Sequence, residues 1–130
     1  MKRSLLQEAL RIAIRKNTPE THEEWKNYAH FTFVVQGNKI VEWGTNRKGE
    51  ASIVFGFDPS RHKTHAEIDA YQKARGLLKK NKPFEVINVR LNRTNDTRLS
   101  APCKCCTAFL NSIGCRKTWF TTDLGWAVTG

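Results

Sequence analysis

Hydrophobic positions change their period several times along the chain, and each change predicts a new element. Across residues 4–16, Leu6, Leu10, Ala13 and Ile14 fall near helical spacing and predict an amphipathic first helix. Thr18-Pro19 sets a capping residue before a proline, and Thr21-His22-Glu23-Glu24 has the form of a capping box. A second short helix through about Tyr28 follows from those signals. Phe31-Thr32-Phe33-Val34-Val35 has strand composition, Gly37-Asn38 reads as a turn, and Lys39 to Trp43 returns as the second strand of a hairpin. Gly44 to Lys63 is a glycine-, proline- and charge-bearing loop with one apolar piece, Ile53-Val54-Phe55. Ala66 to Lys80 is helical by pattern, with Ile68, Tyr71, Ala74, Leu77 and Leu78 as its buried stripe. Phe84 to Leu91 predicts a strand and Arg93 to Ser100 a polar loop. Pro102 opens a further helix that ends near Gly114, a left-handed cap. Lys117 to Thr121 and the segment around Trp126-Ala127-Val128 predict the last two strands.

This order implies an α/β fold with a central, mostly parallel sheet of about five strands and helices packed on its faces. The last connection, Asp123-Leu124-Gly125, is far shorter than the dozen or so residues of a parallel crossover. The final strand is therefore expected to be antiparallel, which makes the central sheet mixed, the alternative being a frayed tail. No repeat, low-complexity stretch or linker interrupts residues 1–130, which suit one domain.

Composition narrows the function. Apolar residues make up 39% and charged residues 26%, enough for a packed core and unlike a disordered chain. Lysine and arginine number 22 against 12 acids, a net charge of +10 that calls for an anionic partner such as phosphate, nucleic acid or a membrane surface. No apolar run approaches the ~20 residues that span a bilayer. Met1-Lys2-Arg3-Ser4-Leu5-Leu6-Gln7-Glu8 lacks the unbroken apolar stretch of a secretory signal. Its arginine-rich continuation has a transit-peptide flavour, but helical spacing favours a folded first helix. Of four cysteines, Cys103, Cys105 and Cys106 crowd together and Cys115 follows closely. Disulfide frameworks spread their staples, so this clustering points to a reduced, cytoplasmic compartment and a metal site.

Two pieces carry chemistry: His65-Ala66-Glu67 and Pro102-Cys103-Lys104-Cys105-Cys106. Each follows a loop and opens a helix, where the positive dipole end favours thiolate. Cys103 and Cys106, at i and i+3, share one side of a helical turn. With His65 they make three ligands, which leaves a fourth tetrahedral position for water, the catalytic form of a zinc site. Glu67 is then the carboxylate beside that water, able to move its proton. The alternative is a closed structural site completed by Cys105, Cys115 or another histidine. Cys105 otherwise reads as a packing residue, Cys115 as a small buried hydrophobe before a strand, and His22, His30 and His62 as solvated, capping or packing groups. Trp25, Trp43, Trp119 and Trp126 read as core or sheet-packing residues, with Trp119 and Trp126 facing each other across the last hairpin.

H-x-E followed by P-C-x-x-C is the signature of zinc-dependent nucleobase deaminases. On these motifs the chain resembles the cytidine deaminase superfamily, which includes cytidine and deoxycytidylate deaminases, tRNA adenosine deaminases and polynucleotide cytosine deaminases. The likeness runs from about Phe31. Gly44-Thr45-Asn46-Arg47 is similar to the G-x-N that ends the family's first hairpin, and the element order matches its five-stranded sheet between helices, a three-layer sandwich. The resemblance implies one zinc ion held by His65, Cys103 and Cys106, Glu67 as proton shuttle, and activated water attacking C4 of cytosine or C6 of adenine. It also implies that Asn46 contacts base or sugar, with Ala66 beside it, and that His30 or Phe31 lies near the pocket mouth.

Histidine at position 65 resembles the deoxycytidylate, tRNA and polynucleotide branches, whereas the short last connection does not; the compact layout is similar to some phage-borne and bacterial toxin deaminases. Arg47 and Lys48 after Asn46, Arg61-His62-Lys63 before His65, and Arg98 and Lys104 around the cysteines all flank motif residues and are expected to rim the pocket. Lys79, Lys80 and Lys82 close a helix far from it and read as a solvated face. The expected substrate is a free cytidine or deoxycytidine nucleotide. The same chemistry on cytosine in single-stranded DNA or RNA, or on adenine as in a tRNA loop, is the competitor, a catalytically silent zinc-containing nucleic-acid-binding module is a further reading, and self-association is possible.

Overall fold

The computed structural model describes residues 1–18, 28–48 and 63–129. Its elements in chain order are α1 (Arg3–Lys16), β1 (Tyr28–Gln36), β2 (Lys39–Thr45), β3 (Arg47–Lys48), β4 (Lys63–Thr64), α2 (Ala66–Ala74), β5 (Phe84–Asn92), β6 (Thr97–Arg98), α3 (Lys104–Ser112), β7 (Cys115–Thr122) and β8 (Gly125–Thr129). The second helix expected before Tyr28, the Ile53-Val54-Phe55 segment, His22, Trp25, Arg61 and His62 lie outside the described residues. Tyr28 itself begins β1.

Side chains alternate across a strand, so β1 and β5 each supply two faces. Phe31, Phe33 and Val35 from β1 and Ile87, Val89 and Leu91 from β5 form one face, covered by Leu5, Leu6, Ala9 and Ala13 of α1. That stripe is turned from the Leu10 and Ile14 expected from spacing: Leu10 only borders the core and Ile14 is exposed. Alanines at 9 and 13 let the helix lie close to the aromatic strand face. On the opposite face, Val34 and Val86 meet Ile68, Ala70 and Ala74 of α2 and Phe109 and Leu110 of α3. The result is three layers, with a mixed sheet between α1 and the α2–α3 pair.

The sheet order is β2-β1-β5-β7-β8, with β6 paired to β5. β1 is antiparallel to both β2 and β5, β5 and β7 are parallel, and β8 is antiparallel to β7 as the short connection requires. β2, β5 and β7 therefore point the same way, but the insertion of β1 leaves β5–β7 as the one adjacent parallel pair of that path. The sheet is mixed, as expected, although β1 makes it less parallel than the strand–helix–strand order alone suggests.

Other boundaries also move. α2 stops at Ala74, six residues short of Lys80. The chain must turn back towards β5, and the Gln36 side chain holds that turn by donating to the Lys79 and Lys82 carbonyls and accepting the Lys79 N–H. Leu77 is consequently exposed, while Leu78 still packs. α3 begins at Lys104 with Cys103 as its N-cap, so Pro102 precedes the cap and does not open the helix. β7 reaches back to Cys115, which borders the α2–α3 core. Trp119 stands opposite Val128 and Trp126 opposite Thr121, which makes the two tryptophans diagonal neighbours on one face.

One contact sets how closely α2 approaches the sheet. A Cβ on Gly44 would lie 2.5 Å from the Ala70 nitrogen and 2.6 Å from Asp69 Oδ2. In the same place Asp69 Oδ2 accepts the Thr45 N–H at 3.0 Å and pairs with Lys73. Gly44→Ala must push the helix backbone away and is expected to destabilise the fold by about 2–3 kcal/mol. Denaturant unfolding measures this; a midpoint matching the native chain would show that the approach is not constrained.

Candidate active site

β2 leads towards α2 and β5 towards α3, and these two strands run in one direction, so the N-termini of both helices fall at the same end of the sheet. Crevices outside the carboxyl ends of such strands are where α/β folds place ligands. β3 and β4 close part of the gap: Arg47 pairs with Thr64 and Lys48 with Lys63, bringing the backbone after Asn46 beside the residue preceding His65. β6 opens the rest. The β5–β7 ladder ends at Asn88 and Phe120, and β6 then takes over the β5 edge through Arg90↔Arg98 and Leu91↔Thr97. Ser100 is the joint in this fork. Its N–H donates to the Thr121 carbonyl (3.0 Å), its hydroxyl donates to the Asn88 carbonyl (3.0 Å), and the same oxygen accepts the Thr121 N–H (2.8 Å).

His65 caps α2 and Cys103 caps α3. His65 Nδ1 lies 3.3 Å from Cys106 Sγ and 3.7 Å from Cys103 Sγ. The Cys106 N–H donates to Cys103 Sγ at 3.5 Å, the bond a capping side chain makes at the third helical position. These three donor atoms all lie within 4.8 Å of one another and could hold a metal ion. One imidazole and two thiols are a donor set that suits zinc. Burial, followed by the Glu67 carboxylate and Cys103, pushes the Cys106 thiol far above the usual thiol range. A divalent cation among these groups would oppose that push, because a coordinating thiol loses its proton. The residues therefore fit the metal.

Glu67, at the second position of α2, is 2% exposed. A buried carboxylate needs donors, and Asn88 Nδ2 donates to its Oε1 at 3.1 Å. His30 Nε2 faces that oxygen from 3.5 Å and is buried without a hydrogen-bond partner among the described residues. Burial, more than the opposing pull of Glu67, holds the His30 imidazole below its ordinary pKa, aided by Arg90 and His65. Neither Asn88 nor the role of His30 beside Glu67 was expected. The available signal was a polar side chain in an apolar strand: Asn88 between Ile87 and Val89, and Thr32 between Phe31 and Phe33.

Asn46 lies one step further out. Its Oδ1 accepts the His30 N–H at 3.2 Å, and its own N–H donates to the His30 carbonyl at 3.3 Å. Ala66 is fully enclosed between His65 and Glu67. Arg98 is half-buried and turns its Nη1 to the Thr97 carbonyl, while Lys104 stands exposed on the first turn of α3. Phe31 is not at the mouth: it is completely buried on the α1 face, 6.2 Å from the Trp43 ring. Cys105 is exposed, so it is no packing residue, and Cys115 gives its S–H to the Lys117 carbonyl, away from the three-donor group. Lys79, Lys80 and Lys82 are exposed beyond the opposite end of α2, as expected.

No family model and no curated protein matches the chain in sequence. Solved structures do match in shape. Cytidine deaminase from Burkholderia pseudomallei superposes with a TM-score of 0.61 at 20% identity, over 100% of this chain and 93% of that one. The dCMP deaminase of cyanophage S-TIM5 gives 0.57 at 18%, over 94% and 86%, and cytidine deaminase from Mycobacterium leprae gives 0.53 at 15%, over 95% and 88%. With its mixed sheet between the three described helices and its His-Cys-Cys group at the helix ends, this chain has the cytidine deaminase fold.

Proposed function

We propose that the protein is a zinc-dependent hydrolytic deaminase that converts cytosine to uracil and releases ammonia, acting on a free cytidine or deoxycytidine nucleotide. The observation that carries this reading is the meeting of His65, Cys103 and Cys106 within 4.8 Å, beside a carboxylate that is almost wholly buried. Ionisable groups held out of water with specific partners concentrate where chemistry is done. Likeness of fold to cytidine and dCMP deaminases supports this reaction class.

In this reading His65, Cys103 and Cys106 hold the ion, which supplies Lewis-acid activation of water at neutral pH. Glu67 takes one proton of the attacking water and carries it to the ring nitrogen beside C4, then takes the proton of the hydroxyl added at C4 and delivers it to the amino group as the C4–N bond breaks and the C4 carbonyl forms. Water and cytosine thus become uracil and ammonia with no other reactant. Asn46, joined to the backbone of His30, would contact the base or sugar. Arg98 and Lys104, with Arg47 after Asn46, supply positive charge for phosphate, and Ala66 fills the floor between the ligand and the proton carrier. A net charge of +10 also favours the single-stranded competitor, since linked phosphates would use more of it.

Purified protein is expected to contain about one zinc per chain. Cys106→Ser should fall well below that while the exposed Cys105→Ser keeps it, as read by metal analysis; zinc retained in Cys106→Ser would remove that ligand from the site.

Ammonia release should be assayed side by side on cytidine, its mono- and triphosphates, the deoxy forms and a cytosine-bearing single strand. A nucleoside monophosphate or triphosphate is expected to turn over fastest. Turnover of the strand alone, with affinity falling steeply as salt rises, would transfer the substrate to nucleic acid. Full zinc with no turnover of any substrate would leave a silent binding module. Glu67→Gln should keep zinc and fold while kcat drops about 10²–10⁴-fold, and an unchanged kcat would overturn the mechanism.

A further inference from the structure

The amide of Asn88 is gripped on three sides inside the protein. Its Nδ2 points at two groups that can only accept, Glu67 Oε1 at 3.1 Å and the Ser100 carbonyl at 3.2 Å. Its Oδ1 receives the Thr32 hydroxyl at 2.7 Å. Thr32, Asn88, Glu67 and Ser100 are all buried. Turning the amide over would set an oxygen against a carboxylate and a carbonyl, so only one orientation satisfies the cluster. The carbonyl it uses belongs to Ser100, the joint that holds β5 and β7 apart, three residues before Cys103. Asn88 thereby links the proton-carrying carboxylate of α2 to the backbone that presents the cysteines of α3.

Both polar groups from the sheet converge on one oxygen of Glu67: Asn88 donates to Oε1, and His30 faces Oε1 as well. A carboxylate tethered by one oxygen cannot spin, and its two oxygens cease to be equivalent. We propose that Asn88 is a positioning residue that pins Glu67 through Oε1 and so assigns proton transfer to Oε2, with Thr32 setting the amide's orientation. This rests on the reading of Glu67 as the proton carrier. Removing the pin leaves Glu67 in place but lets its carboxylate rotate, so fewer encounters are productive while substrate and zinc still bind.

The test compares native protein with Asn88→Ala, Thr32→Val, Glu67→Gln and the Glu67→Gln/Asn88→Ala pair, using whichever cytosine nucleotide or strand the native protein turns over. Asn88→Ala is expected to lower kcat by about 10–100-fold, with KM within about threefold of native and zinc content unchanged. Thr32→Val, nearly isosteric, should lower kcat in the same way but less. In the Glu67→Gln background, Asn88→Ala should cost little more, because the group it positions is already gone. A crystal structure of Asn88→Ala should show the Glu67 carboxylate spread over more than one orientation. An unchanged kcat, a loss confined to KM or zinc, a full additional loss in the double variant, or a Glu67 carboxylate left in one orientation would each overturn the assignment. If Asn88→Ala does not fold, Thr32→Val decides by the same measures. Native protein inactive on every cytosine substrate would overturn the deaminase reading itself; native activity with an indifferent Asn88 overturns only this one.

Discussion

A carboxylate buried against a β-sheet must have its charge met by donors or by a cation, and the arrangement around Glu67 answers that demand from both sides. Asn88 donates to it from β5, and His30 stands next to the same oxygen from β1. On its other flank lie the thiols and imidazole that could hold a metal. The same demand orders the neighbouring elements. Asn88 must be held by Thr32 and Ser100, Ser100 must sit in the fork between β5 and β7, and that fork leads directly into Cys103. Burying one ionisable side chain thus ties both helix N-termini to the middle of the sheet.

The sheet face under α2 and α3 has a polarity gradient, and the gradient places the site. Going along β1 on that face, the side chains are His30, Thr32 and Val34; opposite them along β5 are Arg90, Asn88 and Val86, followed by Phe84. The polar end collects Glu67 and the metal-binding group. The apolar end packs Ala74, Phe109 and Leu110, which anchors the helices whose other ends carry the chemistry. Tyr71 stacks on Phe84 and meets Phe109 edge-on within this anchor. Gly44 and Asp69 then fix the spacing between α2 and β2 at the polar end. A site built this way sits on rigid elements, which suits chemistry that depends on a carboxylate held in one orientation.

Much of this was legible from local pattern. The hairpin of β1 and β2, the helix-opening motifs and the antiparallel last strand all follow from spacings of a few residues, whereas the grouping of His65 with a cysteine pair some 38 residues on was expected from the chemistry of the two motifs. Helix ends were less legible. α2 stops at Ala74 because Gln36, distant in sequence, supplies hydrogen bonds to the turn that replaces its last residues. The buried face of α1 is set by its fit against Phe31 and Phe33 and not by the strongest apolar spacing in the helix. β6 is only two residues long and exists because β5 offers it an edge where β7 diverges.

What the linear chain determined by itself is the donor chemistry and its local geometry: an imidazole and a carboxylate two residues apart, two thiols three apart, each pair at the start of a helix. Those distances are dictated by covalent connectivity and helical rise, which sequence spacing contains. What only the tertiary structure decided is which polar residues from the interior of the strands reach that chemistry. Thr32 and Asn88 lie 56 residues apart and become partners because β1 and β5 pair in one particular register. Register is a property of the whole packed sheet, since a slip of one residue would turn Asn88 towards α1 and bring Ile87 or Val89 under Glu67.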